Sequence, residues 1–244
     1  MDQLRAGIVV TGTEVLTARI VDRNGPWLST RLRELGFDVA HITVCRDRPA
    51  DIRVQLDFMR EQGVDLICTT GGLGPTADDM TAAIVADFCG RELYLDEAIL
   101  AKINEIIAGF AQRMNWDAQA LDEGSRKQAM VPRGAEILGP AGTAPGLVVG
   151  PAEGASGPLV AVLPGPPGEL HKIWDEAIQT PALKGLIAQT FVYEEQMIRM
   201  LGVPESDIAK TLRDFEVAHG LGDMEITTCL RKGEMEILVS HRPE

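Results

Sequence analysis

The stretch VDLICTTGGLGPTADDMT, Val64 to Thr81, passes from an apolar run through a glycine-rich loop to two adjacent aspartates. Val64–Thr69 is short, apolar and bounded by turn residues, which is the pattern of a buried strand. Gly71, Gly72 and Gly74 lack Cβ, so the backbone there can approach a ligand closely and reach φ > 0. The apolar residues that follow predict a helix from about Asp78 to Phe88, closed by Gly90. Such a helix start offers free N–H groups and a positive dipole end. With the hydroxyls of Thr69, Thr70 and Thr76, the segment reads as an anion cradle. Strand, glycine loop and helix in that order make one half of a βαβ unit.

Working outward, the same alternation recurs. Ala6–Thr11 is a β-branched apolar run. Leu28, Leu32 and Leu35 then repeat at helical spacing, with Asn24 as the expected N-cap, Pro26 in the first turn and Gly36 as the stop. Val39–Val44 is a second strand, and Ile52, Leu56 and Met59 mark a second helix before Gly63. Three such units predict right-handed crossovers and a mainly parallel sheet covered on both faces. The fold class is therefore α/β, and the ligand crevice belongs at the strands' C-terminal ends. Gly12–Glu14, Cys45–Asp47 and Thr70–Thr76 all fall at that edge.

Residues 96–130 read as two further helices, with Met130–Pro132 as the exit. Glu136–Leu138, Gly146–Val149 and Pro158–Leu163 read as strands. LPGPPGEL (163–170) is a second strand–loop–helix junction, with a helix over 168–177. QTPALKG (179–185) reads as a linker. The remainder reads β–α–β–β. The expected domains are thus 1–178 and 185–244, the second a small α+β unit.

Composition narrows the function. Net charge is −13, so a basic face that could neutralise nucleic-acid phosphates or dock on anionic membranes is not expected. No apolar run approaches a membrane span, and the N-terminus lacks a signal-peptide pattern. The four cysteines form no C-x-x-C pair, and Cys45, Cys68 and Cys89 sit in or beside apolar segments, as reduced core thiols do. The expectation is a cytoplasmic protein that binds neither nucleic acid nor membrane.

The loops carry the chemistry. No Walker A pattern is present. Gly72, Gly74 and Ala77 loosely match a dinucleotide fingerprint, with Asp96 and Glu97 downstream, but the loop follows the third strand and contains Pro75. Neither a zinc spacing nor a nucleophile elbow appears among the histidines and serines. Carboxylates beside bound phosphate are tolerable if a divalent cation bridges them, or if one aspartate caps the helix while the other meets the ligand. Glu14 and Asp47 end strands one and two and join Asp79 as candidate metal ligands. Glu169 opens the helix after PGPPG, and Arg126 and Lys127 are candidate phosphate partners.

TTGGLGPTADDMT, with TGTEVL (11–16), VDRNGPWLS (21–29), GSRKQAMVP (124–132), GTAPG (142–146) and LPGPPGEL, resembles in order the MoaB/MogA-like molybdopterin-binding fold. The N-terminal region of CinA, the competence/damage-inducible proteins, is closer still. The tail resembles that group's small KH-like domain. The resemblance implies a three-layer α/β/α sandwich, a homodimer or other homo-oligomer, and a metal-dependent ADP-ribose pyrophosphatase using Mg²⁺, Mn²⁺ or Co²⁺. It makes Asp79, Glu14, Asp47 and Lys127 the catalytic set, the first three as metal ligands. It places a phosphate-bearing nucleotide substrate against Thr70, Gly71, Gly72, Gly74, Thr76, Asp78, Asn24, Gly165 and Glu169. Full-length relatives add a nicotinamide-mononucleotide deamidase domain, so no deamidase activity is expected of residues 1–244.

Three departures stand out. Thr13 replaces an aspartate in a Gly-Asp-Glu triplet, Pro166 and Gly168 replace valine and serine, and the tail lacks a G-x-x-G loop. The tail is also acidic, with six Lys/Arg against eleven Asp/Glu over 185–244. The alternatives are a molybdopterin or pterin-phosphate binding protein and a non-catalytic descendant of the fold. Asp78 is expected to cap the helix and Asp79 to carry chemistry.

Overall fold

The computed structural model describes residues 3–111 and 118–243. Strand β1 (Arg5–Thr11) alternates cleanly between two cores. Ile8 and Val10 enter one, while Val9 enters the other. A short helix α1 (Thr13–Leu16) follows, then α2 (Asn24–Glu34). Strand β2 (Asp38–Cys45) pairs parallel to β1, and α3 (Pro49–Glu61) returns to β3 (Leu66–Thr70), parallel to the other side of β1. Leu28 and Leu32 of α2 lie in the first core, and Ile52, Leu56 and Met59 of α3 in the second. Gly7 at the centre of β1 makes room for Met59, whose sulfur an added Cβ would displace.

Helix α4 (Thr81–Phe88) leads to β4 (Leu93–Leu95), helices α5 (Glu97–Ala111) and α6 (Ala118–Gln128), and β5 (Met130–Pro132), which pairs antiparallel with β4. The two expected helices are present, and residues 112–117 between them lie outside the described residues. Asp96 is no ribose ligand. Its Oδ1 accepts from the N–H groups of Ala98 and Ile99 at 3.0 Å, capping α5. These bonds, with that of the Tyr94 hydroxyl, hold its carboxyl below the usual aspartate range.

Strands β6 (Glu136–Leu138), β7 (Gly146–Val149) and β8 (Leu159–Leu163) complete a six-stranded sheet in the order β2–β1–β3–β8–β7–β6. β8 runs parallel to β3, whereas β7 is antiparallel to both its neighbours. Helix α7 (Pro167–Ala177) packs Leu170, Ile173 and Trp174 beside α2, and α4 places Ile84 and Val85 beside α3. The result is the three-layer α/β/α arrangement with a mainly parallel sheet. The stretch expected as a linker folds instead as α8 (Pro181–Ile187), because Leu183 is fully buried and Thr180 caps the helix.

The first compact unit spans Met1–Thr190 and the second Phe191–Glu244. In the second, β9 (Glu194–Leu201), β10 (Glu225–Arg231) and β11 (Glu234–His241) form an antiparallel sheet in the order β10–β11–β9. Helix α9 (Glu205–His219) covers one face through Ile208 against Met235 and Ile237. Among the described residues, no helix is long and apolar enough to cross a membrane.

Candidate functional site

Because β2, β1, β3 and β8 are parallel, their C-terminal ends share one edge of the sheet. A cleft of about 730 Å³ opens there. It is walled by the loops after β1 and β2, the glycine loop after β3 and the proline loop after β8. Eleven of the expected site residues line it: Glu14, Asn24, Asp47, Thr70, Gly71 and Gly72, with Gly74, Asp78, Asp79, Gly165 and Glu169.

The glycine loop is longer than expected. Helix α4 starts at Thr81, not near Asp78, and its cap position, Met80, makes no side-chain bond. Asp78 therefore does not cap it. Thr76 explains why. Its N–H donates to Asp79 Oδ2 at 3.0 Å, and its hydroxyl donates to the same oxygen at 2.6 Å and is shared with Asp78. These local bonds hold the chain in a turn and delay the helix. The hydroxyl of Thr76 also holds the Asp78 carboxyl below its usual range.

The loop's conformation depends on its glycines. Gly71 and Gly72 have φ of +104° and +67°. A Cβ at Gly71 would collide with the Thr11 carbonyl, one at Gly72 with the Thr81 hydroxyl, and one at Gly74 with the Asp79 carboxylate. The Gly71 N–H donates to Leu163 O at 3.1 Å. Among the described residues, the N–H groups of Gly72, Leu73 and Gly74 are paired with no protein acceptor.

Asn24 is not the N-cap of α2. Asp22 Oδ1 does that work, accepting from the N–H groups of Asn24 at 2.9 Å and Gly25 at 3.0 Å. This frees the Asn24 side chain to tie the cleft floor together. Its Nδ2 donates to Thr70 Oγ1 at 2.8 Å and to Gly165 O at 2.7 Å, and Thr70 Oγ1 donates onward to Pro164 O at 2.9 Å. Glu169, in the first turn of α7, lies against Gly142, where an added Cβ would push its carboxylate aside. Burial raises its carboxyl above the usual glutamate range, with Lys172 partly offsetting the shift.

The expected three-carboxylate metal site does not fit. Glu14, Asp47 and Asp79 line one cleft, yet among the described residues no three acidic, histidine or cysteine side chains gather as metal ligands. Asp47 Oδ2 is held by the N–H of Thr13 at 2.8 Å and its hydroxyl at 3.2 Å, and Asp79 Oδ2 by Thr76. The hydroxyl at position 13 thus fills the space beside Asp47 with a hydrogen-bond donor. Lys127 and Thr76 do not line the cleft. The Lys127 ammonium donates to Thr76 O on the far side of the loop.

Sequence reading missed Gln128 and Thr143, both cleft-lining. Gln128 is buried, and its Nε2 donates to Leu73 O at 2.9 Å and to Thr143 Oγ1 at 3.2 Å. Each lies in a stretch noted for its pattern, GSRKQAMVP and GTAPG. Nothing local singles out either residue, because their meeting is tertiary.

A family model, the probable molybdopterin binding domain, matches residues 7–185. The chain is 56% identical over 248 residues to a CinA-like protein of Mycobacterium avium (strain 104), covering 98% of this chain and 56% of that one. It is 57% identical over 241 residues to a CinA-like protein of Mycolicibacterium vanbaalenii, with the same coverage. The chain therefore spans about half the length of the curated relatives it matches. The crystal structure of the protein CinA, of unknown function, from Thermoplasma acidophilum superposes with a TM-score of 0.57 at 29% identity, covering 75% of this chain and 98% of that one. Similar along 98% of its length to CinA-like proteins, with a mainly parallel α/β sandwich and a glycine-loop cleft inside the matched span, the chain belongs to the family of the probable molybdopterin binding domain.

Proposed function

We propose that this cleft binds a small molecule containing a phosphoanhydride and hydrolyses it as a nucleotide pyrophosphatase, with ADP-ribose as the substrate to test first. The observation that carries the reading is the meeting of unpaired loop N–H groups, at Gly72–Gly74, with the carboxylates of Asp79 and Glu169 in one cleft. The N–H groups hold one phosphoryl group and stabilise the charge that develops on it. Asp79 keeps Oδ1 clear of Thr76 and can take a proton from an attacking water. Glu169, raised above the ordinary carboxyl range, is the group best able to return a proton to the departing phosphate oxygen.

Six acidic side chains and one arginine line the cleft. A free polyphosphate would meet net repulsion there. Turnover should therefore be assayed with and without Mg²⁺, Mn²⁺ or Co²⁺, since a cation carried in on the phosphates would need only one or two of these carboxylates. Release of AMP and ribose 5-phosphate from ADP-ribose supports the reading. Absence of turnover under every cation condition refutes it.

The family match over residues 7–185 favours a second reading, in which the same cleft binds the phosphate of a molybdopterin-like pterin without cleaving an anhydride. Pterin fluorescence titration separates the two. Saturable pterin binding without ADP-ribose turnover selects the second.

A further inference from the structure

Gln128 joins the two walls of the cleft. Its Nε2 is the nitrogen, because the same atom contacts the Leu73 carbonyl, and a flipped amide would set oxygen against oxygen. Both Nε2 hydrogens are then in use, one to Leu73 O and one to Thr143 Oγ1. Two consequences follow from ordinary hydrogen-bond chemistry. The bond to Leu73 O fixes the Leu73–Gly74 peptide plane, and with it the direction of the Gly74 N–H, since C=O and N–H of one peptide lie in one plane. The bond to Thr143 occupies a lone pair of its hydroxyl, which leaves that hydroxyl as a donor. Among the described residues no protein acceptor takes the Thr143 hydroxyl proton, and Thr143 lines the cleft.

The cleft therefore has two sets of anion donors on different loops, the N–H groups of Gly72–Gly74 and the Thr143 hydroxyl. Gln128 Nε2 holds Leu73 O at 2.9 Å and Thr143 Oγ1 at 3.2 Å, which ties the glycine loop to the Thr143 hydroxyl within one cleft, while the Gly74 N–H, trans to the held carbonyl, points away from the amide. Donors on two tied loops can take one phosphoryl group each. We propose that Thr143 is a ligand-contacting donor and Gln128 its positioning residue, and that with the glycine loop they make the cleft prefer two linked phosphoryl groups over one. The inference rests on the phosphoanhydride reading above and adds to it the residues that recognise the second phosphoryl group.

The test is calorimetric titration of the chain with inorganic pyrophosphate, inorganic phosphate and ADP-ribose, each with and without Mg²⁺, Mn²⁺ or Co²⁺. Thr143→Val keeps the side chain's shape and removes the donor. It should weaken pyrophosphate binding by about tenfold or more, the scale of one charge-assisted hydrogen bond. Phosphate binding should change by less than about twofold, because the glycine loop is untouched. Thr143→Ser, which retains the hydroxyl, should bind pyrophosphate nearly as the parent does. Gln128→Leu should weaken pyrophosphate binding as Thr143→Val does and, because it also releases the Leu73 carbonyl, should weaken phosphate binding as well. If the parent binds pyrophosphate or ADP-ribose and Thr143→Val binds both unchanged, this inference falls and the functional reading stands. If the parent binds neither, the functional reading falls and takes this inference with it.

Discussion

Asp79 and Thr76 close the glycine loop on itself, with one carboxylate oxygen accepting both the N–H at 3.0 Å and the hydroxyl at 2.6 Å of a residue three positions earlier. The contact separates structure from chemistry at Asp79. An asparagine can still accept from the Thr76 N–H through its carbonyl oxygen, but it carries no charge and is not a base. Asp79→Asn should therefore hold the unfolding midpoint within about 2 °C while lowering ADP-ribose turnover by about a hundredfold or more. Asp79→Ala should also cost about 1 kcal/mol, because it takes the acceptor from the Thr76 N–H, while the Thr76 hydroxyl keeps Asp78. Steady-state kinetics and thermal unfolding on the two variants check both statements.

Two glycines three residues apart should fail differently. Gly71 has a left-handed φ of +104°, and its missing Cβ faces the Thr11 backbone. Gly71→Ala should destabilise the fold by about 2 kcal/mol, since the carbonyl cannot move out of the sheet edge. Gly74 carries no such φ, and its Cβ would meet only the Asp79 carboxylate. Gly74→Ala should displace Asp79 and lower ADP-ribose turnover about as Asp79→Asn does, with a stability change below about 1 kcal/mol. Denaturant titration and steady-state kinetics on the pair distinguish the two outcomes.

Glu169 gives a pH signature. Burial raises its carboxyl above the ordinary 4.5, so the folded protein holds this proton more tightly than the unfolded chain does. The favourable contribution is complete below 4.5 and is lost as pH rises through the folded value. Glu169→Gln stays neutral throughout. The stability of Glu169→Gln relative to the parent should therefore improve between about pH 4 and about pH 7. Urea midpoints for both proteins at the two pH values measure this, and an unchanged difference would contradict it.

Thiol reactivity reports the fold directly. Burial pushes the Cys68 thiol up to about 12 and those of Cys45 and Cys89 to about 11, while Cys229 is exposed. At about pH 8 a water-soluble disulfide reagent should modify only Cys229 in the native protein, because thiolate and access are both needed. All four should react after denaturation. Rapid native labelling of a second cysteine would place part of the core, β2, β3 or the end of α4, at the surface.

The sheet was legible because its strands are short, apolar and separated by helices with one apolar face. Ile8, Val9 and Val10 already show a strand buried on both sides, and Leu28, Leu32 and Leu35 a helix lying on it. The strand ends then located the cleft before any distance was known. The hydrogen bonds between loops were not legible. Asp78 and Asp79 look like a helix start, yet the Thr76 hydroxyl competes for both and moves the helix to Thr81. Asn24 looks like a cap, yet Asp22 takes that task and Asn24 turns to Thr70. The metal triad was inferred from acids sharing one edge, and an edge does not fix whether their oxygens converge. Thr180 and Leu183 made a polar stretch into a helix through a cap and one buried contact. The pairing of Leu93–Leu95 with Met130–Pro132 involves strands too short to show a period.

The central claim is that the cleft between the glycine loop and the proline loop cleaves a phosphoanhydride. Its most direct test is AMP release from ADP-ribose by the parent chain and by Asp79→Asn, measured side by side across Mg²⁺, Mn²⁺ and Co²⁺. The account predicts stoichiometric AMP and ribose 5-phosphate from the parent and about a hundredfold less from the folded variant. Equal release from both proteins, or none from the parent with any cation, would contradict it.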